Sequence, residues 1–134
     1  MIRRELGIFL VVGLLTVLVD FITYRGLVWT HWFGVDVAKA FGFLTGTVFA
    51  YFSNRLWTFG HRQHSAGSAG RFMLLYGFTL GANVVVNATI LAWLSDVTFV
   101  IHIAFLSATA TSAVLNFLGM KLYVFRPSSV SETA

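Results

Sequence analysis

The chain has 134 residues, of which 57% are apolar and only 10% charged, against about 25% charged in an ordinary water-soluble domain. A mean hydropathy of +0.81 excludes a solvated globular surface, and the absence of cysteine excludes a disulfide framework, a thiolate metal site and a cysteine nucleophile. The net charge of +4 would point to nucleic acid in a soluble protein; here it follows from membrane topology, and no nucleic-acid partner is expected.

Four apolar runs of membrane-crossing length account for most of the chain, which is read as an all-α membrane protein. The first span is placed at Gly7–Trp29. Arg3 and Arg4 before it imitate a secretory signal, but the run is too long, holds Asp20 and Arg25, and is followed by no small-residue cleavage site; an uncleaved span is expected. The second span is placed at Val35–Phe59, the third at Phe72–Leu94 and the fourth at Phe99–Phe125. The stretch Gly60–Gly70, rich in Gly, Ser and Ala, reads as a mobile connection. The domain division is a single four-helix unit over 1–126 and a short polar tail over 127–134.

Orientation follows from the basic residues. Arg3, Arg4, Arg55, Arg62, Arg71, Lys121 and Arg126 share the side of the N-terminus, the second loop and the C-terminus, while Arg25 and Lys39 lie opposite. Seven against two predicts both termini in the cytoplasm. Trp29, Trp32 and Trp93 suit the outer interface, Trp57 and Tyr123 the inner one.

The halves resemble each other. Arg55-Leu56-Trp57-Thr58-Phe59 closes span two and Lys121-Leu122-Tyr123-Val124-Phe125 closes span four, 66 residues on (121 − 55); Gly13 and Gly77 are 64 apart (77 − 13). Two helical hairpins running in the same sense are expected, a parallel repeat about an axis along the membrane normal.

Each span carries a polar stripe at helical spacing: Thr16, Asp20 and Thr23; Thr47, Tyr51, Asn54 and Thr58; Tyr76, Thr79, Asn83 and Asn87; Thr109, Ser112 and Asn116. Hydroxyls alone are explained by interhelical hydrogen bonds of about 0.6 kcal/mol each. The amides and the acid ask for more. A carboxylate near mid-membrane costs at least about 2.5 kcal/mol, and Asp20 lies about 3 Å from the middle of its span by helical rise. It therefore needs a cation, for which Lys39 on the neighbouring helix is a better candidate than Arg25, roughly 140° round its own helix. Gly42 and Gly46, extended by Ala50 and Ser53, and the run Ser107–Ala113 make spans two and four the candidates for tight contacts, either within one chain or between protomers. His31, His61, His64 and His102 lack ligand spacing and the acids are dispersed; no metal, cofactor or catalytic site is expected.

Phe9-Leu10-Val11-Val12-Gly13 with Thr16 and Asp20-Phe21, Ala38-Lys39 with Gly42 and Gly46, and above all Tyr51-Phe52-Ser53-Asn54-Arg55-Leu56-Trp57-Thr58-Phe59 resemble the GtrA-like family of small four-span bacterial membrane proteins. Arg71-Phe72 and the run from Leu115-Asn116-Phe117 to Tyr123-Val124-Phe125 extend the likeness over nearly the whole chain. The resemblance implies translocation of a polyprenyl-phosphate-linked sugar, such as undecaprenyl-phosphate glucose, across the bacterial cytoplasmic membrane for cell-envelope polysaccharide. It also implies a GtrB-like glycosyltransferase as possible partner. Carried over are Asp20, Lys39, Asn54 and Arg55. Gly119-Met120-Lys121 stands where the first half has Ser53-Asn54-Arg55, so the halves are not expected to bind lipid equivalently.

In that reading Arg55, Lys121 and Asn54 receive phosphate at the inner face, Lys39 or Arg25 at the outer, and the stripe with Asn83, Asn87 and Asn116 meets sugar hydroxyls. A homo-oligomer, with a dimer favoured, would help such a thin bundle enclose a path. Two alternatives compete: a non-transporting membrane anchor for the glycosyltransferase, and a small proton-coupled cation exporter built on Asp20.

Overall fold

The computed structural model describes residues 1–61 and 66–127. It is all-helical: α1 (Ile2–Thr30), α2 (Val35–Ser53), α3 (Ser68–Trp93) and α4 (Val100–Gly119). Among the described residues, four helices are long and apolar enough to cross a membrane. The expected mobile connection and polar tail fall, for residues 62–65 and 128–134, outside the described residues, as do Arg62 and His64.

Two of the helices begin earlier than the apolar runs suggest. α1 starts at Ile2 rather than Gly7 and α3 at Ser68 rather than Phe72, because hydropathy marks the length of chain that prefers lipid, whereas backbone hydrogen bonding carries the helix on into the headgroups. Stretches of 29, 24, 26 and 25 residues reach roughly 36–44 Å against about 30 Å of hydrocarbon. Large apolar side chains such as Leu10, Leu14, Val17 and Phe21 on α1 and Phe78 and Val85 on α3 stand exposed, as lipid-facing positions should.

The chain forms two compact units, Met1–His61 and Arg62–Ala134. In the first, α1 and α2 pack along their length. α2 buries Ala38, Gly42, Gly46 and Ala50, a row at every fourth residue. The partner of that row is α1: a Cβ built on Gly42 would lie 2.6 Å from Asp20 Oδ1 and 2.8 Å from the Asp20 carbonyl, and one on Gly46 would lie 3.2 Å from Asp20 Cβ and 3.3 Å from the Thr16 carbonyl. The small-residue face, a candidate for tight contacts, thus seats the acid-bearing turn of α1. Lipid gives two helices no hydrophobic reason to associate, so backbone approach of this kind supplies the attraction.

In the second unit α3 packs on α4. α3 buries Phe72, Leu75 and Thr79, and α4 buries Ala104, Ala108 and Phe117. Gly119 takes the Leu75 side chain, whose Cδ1 would collide with any Cβ there.

Both hairpins finish in a way their sequence did not announce. α2 runs into a five-residue π-helical turn, Asn54–Thr58, and α4 into another, Met120–Val124. The Phe59 N–H donates to the Asn54 carbonyl at 2.9 Å and the Phe125 N–H to the Met120 carbonyl at 2.8 Å. One residue more per turn rotates the chain beyond it by about 100° relative to a continuous α-helix, and Phe59 and Phe125 are both fully buried. Gly60 is required after the first turn, since a Cβ there would run into the Leu56 carbonyl.

One contact in each hairpin can be compared. Thr16 and Asp20 meet Gly46, while Asn83 meets Ser112. Gly46 and Ser112 are 66 apart (112 − 46), Asp20 and Asn83 63 apart (83 − 20). The offset between first helices is therefore one less than the Gly13–Gly77 spacing suggests, because neither glycine touches anything that would fix a register.

Substituting Gly42 by Ala is expected to destabilise the protein by about 1–3 kcal/mol through forced separation of α1 and α2. Gly13→Ala and Gly77→Ala, with open space around both, should change stability by no more than about 0.5 kcal/mol. Reversible unfolding in mixed detergent micelles measures both; equal effects at all three glycines would refute the close-approach account.

Candidate functional site

Polar chemistry inside the spans is concentrated in three kinds of place: a charged pair within the α1–α2 hairpin, the π-turn ends of both hairpins, and a ladder of amides and hydroxyls between α3 and α4. Within the pair, the Lys39 ammonium donates to both carboxylate oxygens of Asp20 at 3.1 Å and stands 5.6 Å from the centre of the Tyr24 ring. Because α1 begins at Ile2, Asp20 is four residues past the helix midpoint, or about 6 Å along the axis. Its side chain is 21% exposed and that of Lys39 59%. The carboxylate is pressed against glycine backbone while the ammonium stays reachable. Arg25, the other cation weighed for Asp20, is exposed and has no hydrogen bond or ion pair among the described residues.

At the first π-turn, the Asn54 amide donates to the Ala50 carbonyl at 2.8 Å and its oxygen accepts from the Thr58 hydroxyl at 2.9 Å. Both side chains belong to buried residues. A π-turn disturbs the regular i to i−4 pattern; the backbone N–H of Asn54 is shared between the Ala50 and Tyr51 carbonyls, and the side-chain amide completes their satisfaction. Asn54 thus holds the turn in which Arg55 is the next residue.

The second π-turn, which carries Lys121, is held from outside. Arg71, at the start of α3, donates through Nε to the Tyr123 carbonyl, through Nη2 to the Val124 carbonyl and through Nη1 to the Ala66 carbonyl, each at 2.9 Å. A guanidinium is suited to this, with planar donors and a charge that complements the negative end of a helix. The first hairpin ties the same two places differently: buried Glu5 near the start of α1 lies 3.2 Å from His61 Nε2, just past the π-turn. Sequence reading assigned neither Glu5 nor His61 a partner, and counted Arg71 only as an inner-face charge. An acid just before the first apolar run, and a basic residue four after a loop glycine, are the signals the sequence offers.

Along α3 and α4 the amides form a ladder. The Thr79 hydroxyl donates to the Asn116 carbonyl oxygen at 2.8 Å, and the Asn83 amide to the Ser112 hydroxyl at 3.0 Å. Asn87, one turn beyond Asn83, is half-buried and has no hydrogen-bond partner among the described residues. The hydroxyls of Thr16, Thr45, Thr47, Thr89 and Thr111 return to carbonyls of their own helix, which is what hydroxyls in lipid do when nothing else is offered. Of the residues singled out from sequence, Asp20 and Lys39 are therefore brought together, Asn83 and Asn116 are each bound to the facing helix, and Asn54 and Arg55 adjoin in one turn. Arg55 and Lys121 are half-buried at equivalent places in their own hairpins.

A family model described as GtrA/DPMS, transmembrane domain, matches residues 8–125. No solved structure matches the chain.

Arg71→Ala removes three charge-assisted hydrogen bonds and is expected to cost about 2–4 kcal/mol, with Arg71→Lys recovering less than half because an ammonium lacks the fork. Hydrogen exchange at the Phe125 amide, followed with thermal unfolding, reads out the π-turn directly; unchanged protection in Arg71→Ala would show that the clamp does not hold it. Thr58→Val should cost about 1–2 kcal/mol by stranding the Asn54 carbonyl oxygen.

Proposed function

The chain belongs to the GtrA/DPMS transmembrane-domain family, and on that premise we propose that it moves a polyprenyl-phosphate-linked sugar across the bacterial cytoplasmic membrane for cell-envelope polysaccharide synthesis. The observation that carries this reading is the Asp20–Lys39 pair. An ammonium near one end of its span, held by a carboxylate of the neighbouring helix yet with 59% of its side chain exposed, is a station for an anion that travels along the membrane rather than through bulk water. A polyprenyl phosphodiester is such an anion: its tail remains in lipid, its phosphate requires a cation and its sugar requires hydrogen-bond donors.

Arg55 and Lys121, each carried in a π-turn at the end of its hairpin, supply cations for the phosphate at the cytoplasmic face. Their turns are positioned by Asn54 and Arg71. Lys39 supplies the cation nearer the outer face. Asn87, together with the unused donor and acceptor capacity of Asn83 and Asn116, offers hydrogen bonds to sugar hydroxyls. The protein is N-in and C-in by its basic residues, works without a catalytic step of its own, and receives its lipid-linked sugar from a GtrB-like glycosyltransferase. A homodimer widens the bundle enough to shield the headgroup.

The anchor reading draws support from the α3–α4 ladder, in which Thr79 donates to Asn116 and Asn83 to Ser112, contacts between helices that form without a ligand. The exporter reading is weakened by the pair itself, since Asp20 already holds an ammonium.

In proteoliposomes with a fluorescent short-chain polyprenyl-phosphate sugar on one leaflet, Lys39→Ala is expected to slow movement at least about tenfold, or ~1.4 kcal/mol, with Lys39→Arg retaining part of the rate. Wild-type rates in Lys39→Ala would remove the station. Rates in wild-type vesicles no greater than in empty ones would favour the anchor.

A further inference from the structure

The charged station of the first hairpin is neutral as it stands, with one ammonium and one carboxylate. A sugar phosphodiester carries a single fixed negative charge. If it takes Lys39, two anions face one cation, and their mutual repulsion favours the neutral form of the one that can bind a proton.

The groups around Asp20 leave one way to restore it. From α2, Lys39 faces the carboxylate, and Asp36, in the helix's first turn, is exposed and itself an acid. From α1, Tyr24 brings its Cβ to the same glycine, Gly42; a phenol adds no positive charge. Arg25 is five residues on, about 140° round α1. The first π-turn also packs on α1, but its Arg55 is 16 residues beyond Lys39 (55 − 39), about 24 Å along the helix. Among the described residues of the first unit no second cation is therefore at hand, and Gly42 and Gly46 fix Asp20 in place so that it cannot follow another one.

We propose that the headgroup displaces Asp20 from Lys39 and that the released carboxylate binds a proton, so that one proton accompanies each phosphodiester. The step is a simple exchange of partners. The Lys39 N–H donors pass from carboxylate oxygens to phosphate oxygens, and a proton from solvent adds to a carboxylate oxygen to give a carboxylic acid, whose O–H donates to the phosphate. Anion and proton together carry no net charge, so the loaded station keeps the net charge of the empty one and loading responds to pH. The corresponding turn of α3 holds Asn83, with Ser112 as its partner, and has no ionisable group to take part. The coupling therefore belongs to the first hairpin alone.

This inference rests on the carrier reading, and its test separates the two. Titration calorimetry of the detergent-solubilised protein with a long-chain alkyl glucosyl phosphodiester, in buffers of different ionisation enthalpy, counts protons taken up on binding. The phosphodiester does not titrate over the range used, and the matching uncharged alkyl glucoside is the control. Wild type is expected to take up about one proton per phosphodiester and none with the glucoside, its affinity falling up to about tenfold per pH unit. Asp20→Asn is expected to bind the phosphodiester with no proton uptake and no such pH dependence. Binding by wild type without uptake, or equal uptake in Asp20→Asn, overturns the coupling and leaves the carrier standing. No binding of the phosphodiester by wild type overturns the carrier reading itself. Should Asp20→Asn fail to fold, the wild-type comparison of charged with uncharged ligand still decides.

Discussion

A carboxylate inside a membrane must be paired, and the first hairpin is arranged around meeting that demand. Asp20 reaches Lys39 only because α1 and α2 approach closely, and they do so only because α2 presents hydrogen atoms at Gly42 and Gly46 where side chains would stand. The ion pair and the glycine face are thus one feature. Packing brings the charges to 3.1 Å, and the charges in turn give two helices in lipid a reason to stay together beyond dispersion. An acid at this depth without its cation would oppose insertion of the whole span.

The second hairpin meets the same geometric requirement with neutral chemistry. Where the first has Asp20 against Gly46, it has Asn83 against Ser112, and where Thr16 lies on the first glycine face, Thr79 reaches Asn116. Amide and hydroxyl can satisfy each other in lipid without a charge to neutralise, so the second hairpin is self-sufficient where the first depends on a separated pair. The π-turns repeat this division of means. One is braced from within by Asn54 and Thr58, the other from outside by the Arg71 fork. In each case a basic residue is carried in the turn and a phenylalanine is buried at its end. Corresponding positions keep the shape and exchange the chemistry.

Four spans, their order and the family were legible in the chain itself, because a lipid solvent writes its requirement as runs of apolar residues of fixed minimum length. The Asp20–Lys39 pair was legible too: few charges occupy the spans, and a cation on a neighbouring helix can turn towards an acid as one on the same helix at 140° cannot. The partner of the glycine face was not, since small residues record that something comes close without recording what. The π-turns left no mark in composition or periodicity; they depend on which carbonyls find donors, and Arg71 supplies two of those from a residue 52 positions before Tyr123.

The sequence therefore determined the solvent, the number of crossings and the list of polar groups that lipid would not tolerate unpaired, all consequences of local composition against a slab of known thickness. Which group satisfies which was decided only by tertiary structure. Hydrogen bonds and ion pairs depend on approach to within about 3 Å, and in this protein that approach is set by helix faces, by two rotated helix ends and by the positions of glycine, none of which composition records.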